Sequence, residues 1–202
     1  MNKFMTPHQV ATTISNNLTK SGISGSRSSR RTDALNDEII KILKQYIEGQ
    51  EYTFLTEKSI KCSRGDTFTV DVVVQKNGQN FLLVHLKAIE SSYNKNRHNY
   101  SNTVIGETSR VFDKDVIPEN LHSIWIDWIP NTVPCYNKKR ELIREEKTKV
   151  PNLKNVENRW NKVLESSNSS VCYGKITFDT DNGYSNIEGV SKIEKYLESL
   201  NA

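Results

Sequence analysis

Asp71, His85 and Lys87 are the side chains whose types and spacing can do chemistry together. Asp71 interrupts a run of valines, Val70-Asp71-Val72-Val73-Val74. Asn77-Gly78 follows as a turn, and Phe81-Leu82-Leu83-Val84-His85-Leu86-Lys87 resumes the apolar pattern. The whole reads as a hairpin of two apolar strands. Side chains alternate along a strand, which puts Phe81, Leu83, His85 and Lys87 on one face. A carboxylate inside a valine run that can be buried on both faces is costly unless something compensates it. An acid, an imidazole and an ammonium on neighbouring strands therefore mark a candidate site. The plainer alternative is an exposed sheet face, with Lys87 reaching water from a strand end.

The turn decides whether these groups meet. Residues directly paired across antiparallel strands point to the same side. A two-residue Asn77-Gly78 turn without a bulge sets Asp71 opposite Val84 and turns it away from His85. An odd-length loop or a bulge sets it on the face of His85 and Lys87. Three-residue hairpins with glycine in the left-handed position are common, and an odd-length loop is the expectation.

An aspartate, a gap, then acid-x-Lys on adjacent strands is the pattern of the PD-(D/E)XK nucleases, and the chain resembles that superfamily from about Thr32 to Pro130. Val70 stands where the family often has proline, and His85 replaces its second acid. The resemblance implies an α/β fold: a restriction-endonuclease-like αβββαβ core with a mixed central sheet flanked by helices. It also implies hydrolysis of phosphodiester bonds in double-stranded DNA, leaving a 5′-phosphate and a 3′-hydroxyl, with Mg²⁺ (or Mn²⁺) as cofactor. Asp71 would be the main metal ligand and Lys87 the water-orienting or charge-stabilising cation. His85 would be a nitrogen ligand or hold the water.

Mg²⁺ prefers oxygen donors, usually one or two carboxylates with waters and phosphate oxygens, whereas imidazole suits softer ions. The histidine therefore calls for a further carboxylate. Glu38, Glu57, Asp66 and Glu107 are the candidates. The family often supplies such an acid from its N-terminal helix, so Glu38 is the first choice.

The segment after Lys87, Ala88 to Asn102, is rich in asparagine and basic residues, carries two tyrosines and has almost nothing apolar to bury. Phosphates and base edges are met by such amide donors, cations and flat rings. Ser91, Ser92, Asn94, Lys95, Asn96, Arg97 and Asn99 are thus candidate nucleic-acid contacts, or members of a solvated loop. Arg110, in a helix expected from about Thr103 to Asp113, either meets a phosphate or pairs with Glu107.

Composition sets the bounds. The 202 residues suffice for one α/β domain with a real core. Lys plus Arg number 28 against 24 for Asp plus Glu, a mild basic excess compatible with nucleic acid. Cys62, Cys135 and Cys172 are scattered, which argues against a disulfide framework or zinc finger and for a reducing compartment. No signal-peptide core or long apolar run is present, so a cytoplasmic, soluble protein without membrane partners is expected.

Residues 1–31 read as a flexible or DNA-contacting N-terminal arm and 32–202 as a single nuclease domain. Thr32 is a good N-cap for a helix carrying Leu35, Ile39, Ile42, Leu43, Tyr46 and Ile47. Strands are expected at Tyr52–Thr56, at the hairpin, at Ser123–Ile129 and around Lys175–Phe178. Within Ser123–Ile129, Asp127 is either functional at a sheet end or, preferred, faces solvent or caps a turn, and Trp125 and Trp128 are read as core. Residues 131–152 read as a solvated charged segment or a DNA-facing extension, with a short helix over 141–146. Helices are expected at 153–165 and from about Asn186 to Leu200.

The functional expectation is a restriction-type endonuclease. It would be either a homodimer or, preferred here, the cleavage subunit of an enzyme whose larger partner recognises the DNA sequence. The alternatives are a catalytically inactive DNA-binding relative and a structure-specific repair or recombination nuclease.

Overall fold

The structure, a computed structural model, describes residues 30–61, 67–89, 92–111, 121–139, 141–166, 171–179 and 185–200. The N-terminal arm to residue 29, Asp66 and Ser91 lie outside them, as does the Arg110 side chain. Helix α1 (Arg30–Tyr46) leads into strands β1 (Tyr52–Lys61), β2 (Thr67–Lys76) and β3 (Gln79–Ala88). Helix α2 (Tyr93–Val111) and strand β4 (His122–Pro130) follow, then β5 (Thr132–Tyr136), β6 (Leu142–Lys147) and α3 (Val150–Ser166). The chain closes with β7 (Val171–Asp179), β8 (Ser185–Glu188) and α4 (Val190–Ser199).

Among the described residues the first six elements run αβββαβ, and the fold is a mixed α/β sheet flanked by helices. The main sheet, among the described residues, has six strands in the order β1-β2-β3-β4-β7-β8. Pairing is antiparallel across β1, β2 and β3, parallel across β3, β4 and β7, and antiparallel again at β8. Antiparallel strands need only the short turn at Asn77-Gly78. The parallel β3–β4 pair needs a crossover, which α2 supplies.

Alternation divides the side chains between two layers. On one face Val72, Val74, Val84, Leu86, Ile124, Ile126 and Trp128 pack with Leu35, Ile39, Ile42, Leu43, Tyr46 and Ile47 of the first helical segment and with Ile193 and Leu197 of α4. All six apolar positions expected on α1 are buried, a stripe of helical period laid on the sheet. On the other face Trp125 and Tyr173 pack with Val156 and Trp160 of α3, and Ile129 with Tyr93 of α2 and Leu153 of α3.

Four expectations need correction. Thr32 lies inside α1, because Arg30 and Arg31 already continue the helix. The segment taken as a polar loop after Lys87 is helical from Tyr93: Tyr93 and Tyr100 stack at 6.2 Å, and buried Ser101 adds to a packing face with few aliphatic residues. Residues 142–147 form a strand, paired with β5 through Cys135↔Arg144 and Pro134↔Glu145. Residues 185–188 pair with β7 before Gly189, at φ 92°, turns the chain into α4. At Gly189 a Cβ would lie 1.8 Å from the Lys175 carbonyl oxygen, so the close approach of backbone to backbone requires glycine.

Candidate active site

The β2–β3 turn has two residues, not an odd number: Lys76 pairs with Gln79, with Asn77 at φ 51° and Gly78 at φ 79°. Both central residues are left-handed, as the twist-matched hairpin turn requires. A bulge restores the needed register. Pairing steps from Val74↔Leu82 to Gln75↔Asn80, which leaves Phe81 as the extra residue. The regular pairing ends at Val72↔Val84, one residue short of Asp71.

At Asp71 the backbone ladder gives way to a side chain. Its Oδ2 accepts the Leu86 N–H at 2.8 Å, occupying a donor that regular antiparallel pairing would direct to a backbone carbonyl. The neighbouring strand is irregular at the same level. Glu57, between the pairs Thr56↔Val72 and Lys58↔Val70, has φ 47°. Leu55 and Ile60 pack in one cluster, as do Val70 and Val73, so strict alternation breaks in both strands at Glu57 and Asp71. Burial pushes the Asp71 carboxyl up to about 6; the Leu86 N–H and Lys87 oppose the shift, while Glu107 and Glu57 reinforce it. Glu107 of α2 and Glu57 of β1 therefore share the field of Asp71 with Lys87.

Lys87 lies at the exposed end of β3, its Nζ 5.8 Å from the centre of the Tyr100 ring. Across the parallel ladder it pairs with Asp127, which pairs in turn with Lys175, and Lys175 reaches Glu157 at 3.2 Å. A row of alternating charge thus crosses three strands beneath α2 and α3. Asp127 is 4% exposed; its Oδ2 accepts the Tyr173 hydroxyl at 3.0 Å and its Oδ1 has no partner. Burial pushes the Asp127 carboxyl up to about 6, opposed by Tyr173 and Lys87. Asp127 therefore neither faces solvent nor caps a turn. It is the residue for which the sequence reading preferred those alternatives to a functional role. Its signal was a carboxylate inside a parallel strand apolar on both faces, where charge is costly. Trp125 and Trp128 are core, as expected.

The structure does not bring His85 into this group. Its ring stacks on Trp125 at 3.6 Å and 4° and lies 6.2 Å from Phe68, with Nε2 buried and unpartnered. Burial pushes the imidazole down to about 3, and no carboxylate acts on it. A neutral, enclosed ring is a packing element. Nor is Glu38 brought to Asp71: it sits on α1, which covers the other face, and pairs with Lys41 at 2.5 Å. Of the candidate further acids, Glu57 and Glu107 approach Asp71.

The expected nucleic-acid contacts divide. Lys95 and Asn99 are exposed on α2 and Asn96 is half-buried. The Ser92 N–H donates to the Pro134 carbonyl at 3.2 Å. Asn94 is spent internally: its amide donates to the Lys147 carbonyl and to Glu146, and its oxygen accepts from the Lys149 N–H and Asn152 Nδ2. Arg97 is half-buried and donates to the Asn94 carbonyl. Position in a polar stretch could not distinguish the inward-facing members from the outward ones.

Among the described residues no three His, Cys, Asp or Glu side chains cluster as metal ligands, and no helix is long and apolar enough to cross a membrane. No protein-family model and no curated protein sequence matches the chain. Among solved structures, the cryoEM structure of a DrdV–DNA complex is similar at 12% identity and a TM-score of 0.35, over 76% of this chain and 14% of that one.

Proposed function

We propose that the chain is a divalent-metal-dependent endonuclease acting on double-stranded DNA, of restriction type. The observation that carries this reading is the placement of Lys87 between the field of Asp71 and Glu107 on one side and buried Asp127 on the other.

The donor set fits a hard cation. Asp71 and Glu107 offer carboxylate oxygens, and Glu107 makes Asp71 harder to ionise, a repulsion that a positive ion relieves. Two carboxylates with water and phosphate oxygens meet the coordination habits of Mg²⁺. When bound, the ion would polarise the scissile phosphate and acidify a water. Asp71 and Glu107 would hold it, Asp71 fixed in orientation by the Leu86 N–H. Lys87 would place its ammonium against the phosphate oxygens, where negative charge grows in the transition state. Asp127 is a positioning residue: a buried negative charge beside Lys87 on the next strand, held by Tyr173, that aims the ammonium at the sheet end.

Two observations favour a second reading, a DNA-binding relative without catalysis: the packed His85 and the lack of a three-ligand cluster among the described residues. Plasmid incubated with Mg²⁺ or Mn²⁺, alone and beside a candidate recognition subunit, separates the two. The endonuclease gives discrete products that disappear in Asp71→Asn and Lys87→Met. DNA binding with no cleavage in either metal, under all these conditions, selects the second reading.

A further inference from the structure

The β5–β6 ribbon forms a two-stranded sheet separate from the main one. Leu142 and Ile143 are 58% and 57% exposed, and residues 142–145 are all open to solvent. Successive strand residues point to opposite faces, so β6 is open on both sides at Leu142 and Ile143, while β5 buries Val133 and Cys135 on one side. Two strands alone are marginal in water, yet this ribbon is firmly rooted. The Ser92 N–H bonds to the Pro134 carbonyl, the Thr148 hydroxyl donates to the Pro130 carbonyl at 2.7 Å, and Asn94 fastens Glu146 and Lys147. Near the turn, the Asn137 side-chain oxygen accepts the N–H groups of Lys139 and Glu141 at 2.8 and 3.0 Å.

Charge and position say what such a ribbon meets. From 136 to 149 the chain carries Lys138, Lys139, Arg140, Arg144, Lys147 and Lys149 against Glu141, Glu145 and Glu146, and Glu146 is engaged by Arg144. The excess is basic, and Lys138 and Lys139 are exposed at the turn. The ribbon follows β4 after a single residue, so it leaves the sheet at the end where Lys87 and Asp127 lie. Ser92, at its root, is five positions beyond Lys87 in the chain.

We infer that β5–β6 is a DNA-reading ribbon that enters a groove of the duplex held at Lys87. A two-stranded β-ribbon fits the major groove, where apolar side chains meet thymine methyl groups. Lys138 and Lys139 contact phosphates, and Leu142 and Ile143 contact base edges. The inference rests on the nuclease reading for its ligand and deepens it by assigning the element that grips the substrate.

The test uses the full chain and a short fluorescein-labelled duplex of mixed sequence, with anisotropy read in EDTA so that binding is measured without cleavage. Lys138→Glu/Lys139→Glu weakens binding to every duplex and lowers the salt slope by about 2. Leu142→Ser/Ile143→Ser weakens binding at an unchanged salt slope and levels the preference among duplexes. Both pairs alter exposed residues, and unchanged melting temperatures confirm that the fold is kept. Parental affinity in both variants overturns the inference. So does a dimer, seen by light scattering, that Leu142→Ser/Ile143→Ser converts to monomer while DNA affinity is kept, since the ribbon then joins two copies. If the parent chain cleaves plasmid while both ribbon variants bind like it, the ribbon assignment alone falls. A parent chain that neither binds nor cleaves removes the nuclease reading as well.

Discussion

Each polar residue around Lys87 makes a different demand on its surroundings. Glu107→Gln leaves Asp71 as a single carboxylate, and cleavage should fall with Asp71 already easier to ionise. The expected sign is a loss of rate partly recovered by raised Mn²⁺, read from plasmid nicking across a metal titration. Lys87→Met removes a charge aimed at the transition state, and its cost should be about 10²–10³-fold in kcat. Asp127→Asn keeps the shape and can still accept from Tyr173 but discards the negative charge beside Lys87. Cleavage should drop while KM for DNA is nearly kept, a split that a merely structural role would not give. His85→Phe is the sharpest contrast. If the imidazole only packs between Trp125 and Phe68, the phenyl ring replaces it and cleavage survives; loss of cleavage in a folded His85→Phe chain returns the histidine to the catalytic group.

At the level of elements, the N-terminus of α2 is the joint between site and ribbon. Asn94 ties together the helix, β6 and the start of α3 through four hydrogen bonds. Asn94→Ala should cost about 1–3 kcal/mol by stranding partly buried partners, and hydrogen exchange should quicken in β5–β6 before it does in the main sheet. Strong periodicity made several elements legible from the chain alone. The α1 stripe, the valine-rich hairpin and the Trp125–Trp128 strand each carry a dense apolar pattern that one geometry satisfies. Where the pattern is thin the reading failed. The face of α2 is built on Tyr93, Tyr100 and Ser101 among asparagines, so packing and not propensity makes that helix. Leu142-Ile143 followed by charges fits either period, and the partner strand decides. Asp71 and Lys87 could be singled out as candidates because their spacing is fixed by one hairpin. Glu107 was among four candidate acids that no local window could rank, because it approaches through the packing of a crossover helix; the place of Asp127 depends on the register of a parallel strand.

Taken whole, the molecule carries buried titratable groups of opposite sign. Asp71 and Asp127 are each raised from 3.8 to about 6. Between those values the folded state binds more protons than the unfolded chain, so these two groups favour the fold as pH drops from about 6 toward 4. His85 is lowered from 6.5 to about 3. The unfolded chain then binds the extra proton, and stability is lost as pH falls below about 6.5. A single such histidine accounts for about 4–5 kcal/mol once its whole window is crossed. Thermal melts should therefore show His85→Phe holding its stability to lower pH than the parent, and Asp127→Asn gaining most at neutral pH; equal acid profiles for parent and His85→Phe would mean that the ring finds a proton-stabilising partner. The outer strand has a consequence of its own. An unpaired sheet edge is a template for strand addition by another molecule, and β1 is an end strand of the main sheet among the described residues. Glu57, in a left-handed conformation midway along it, spoils the straight run of amides that a second chain would need. The kink that brings an acid toward Asp71 should thus also oppose fibril formation by concentrated protein. Glu57→Val, by straightening the edge, should turn a clear solution into one that binds amyloid dyes.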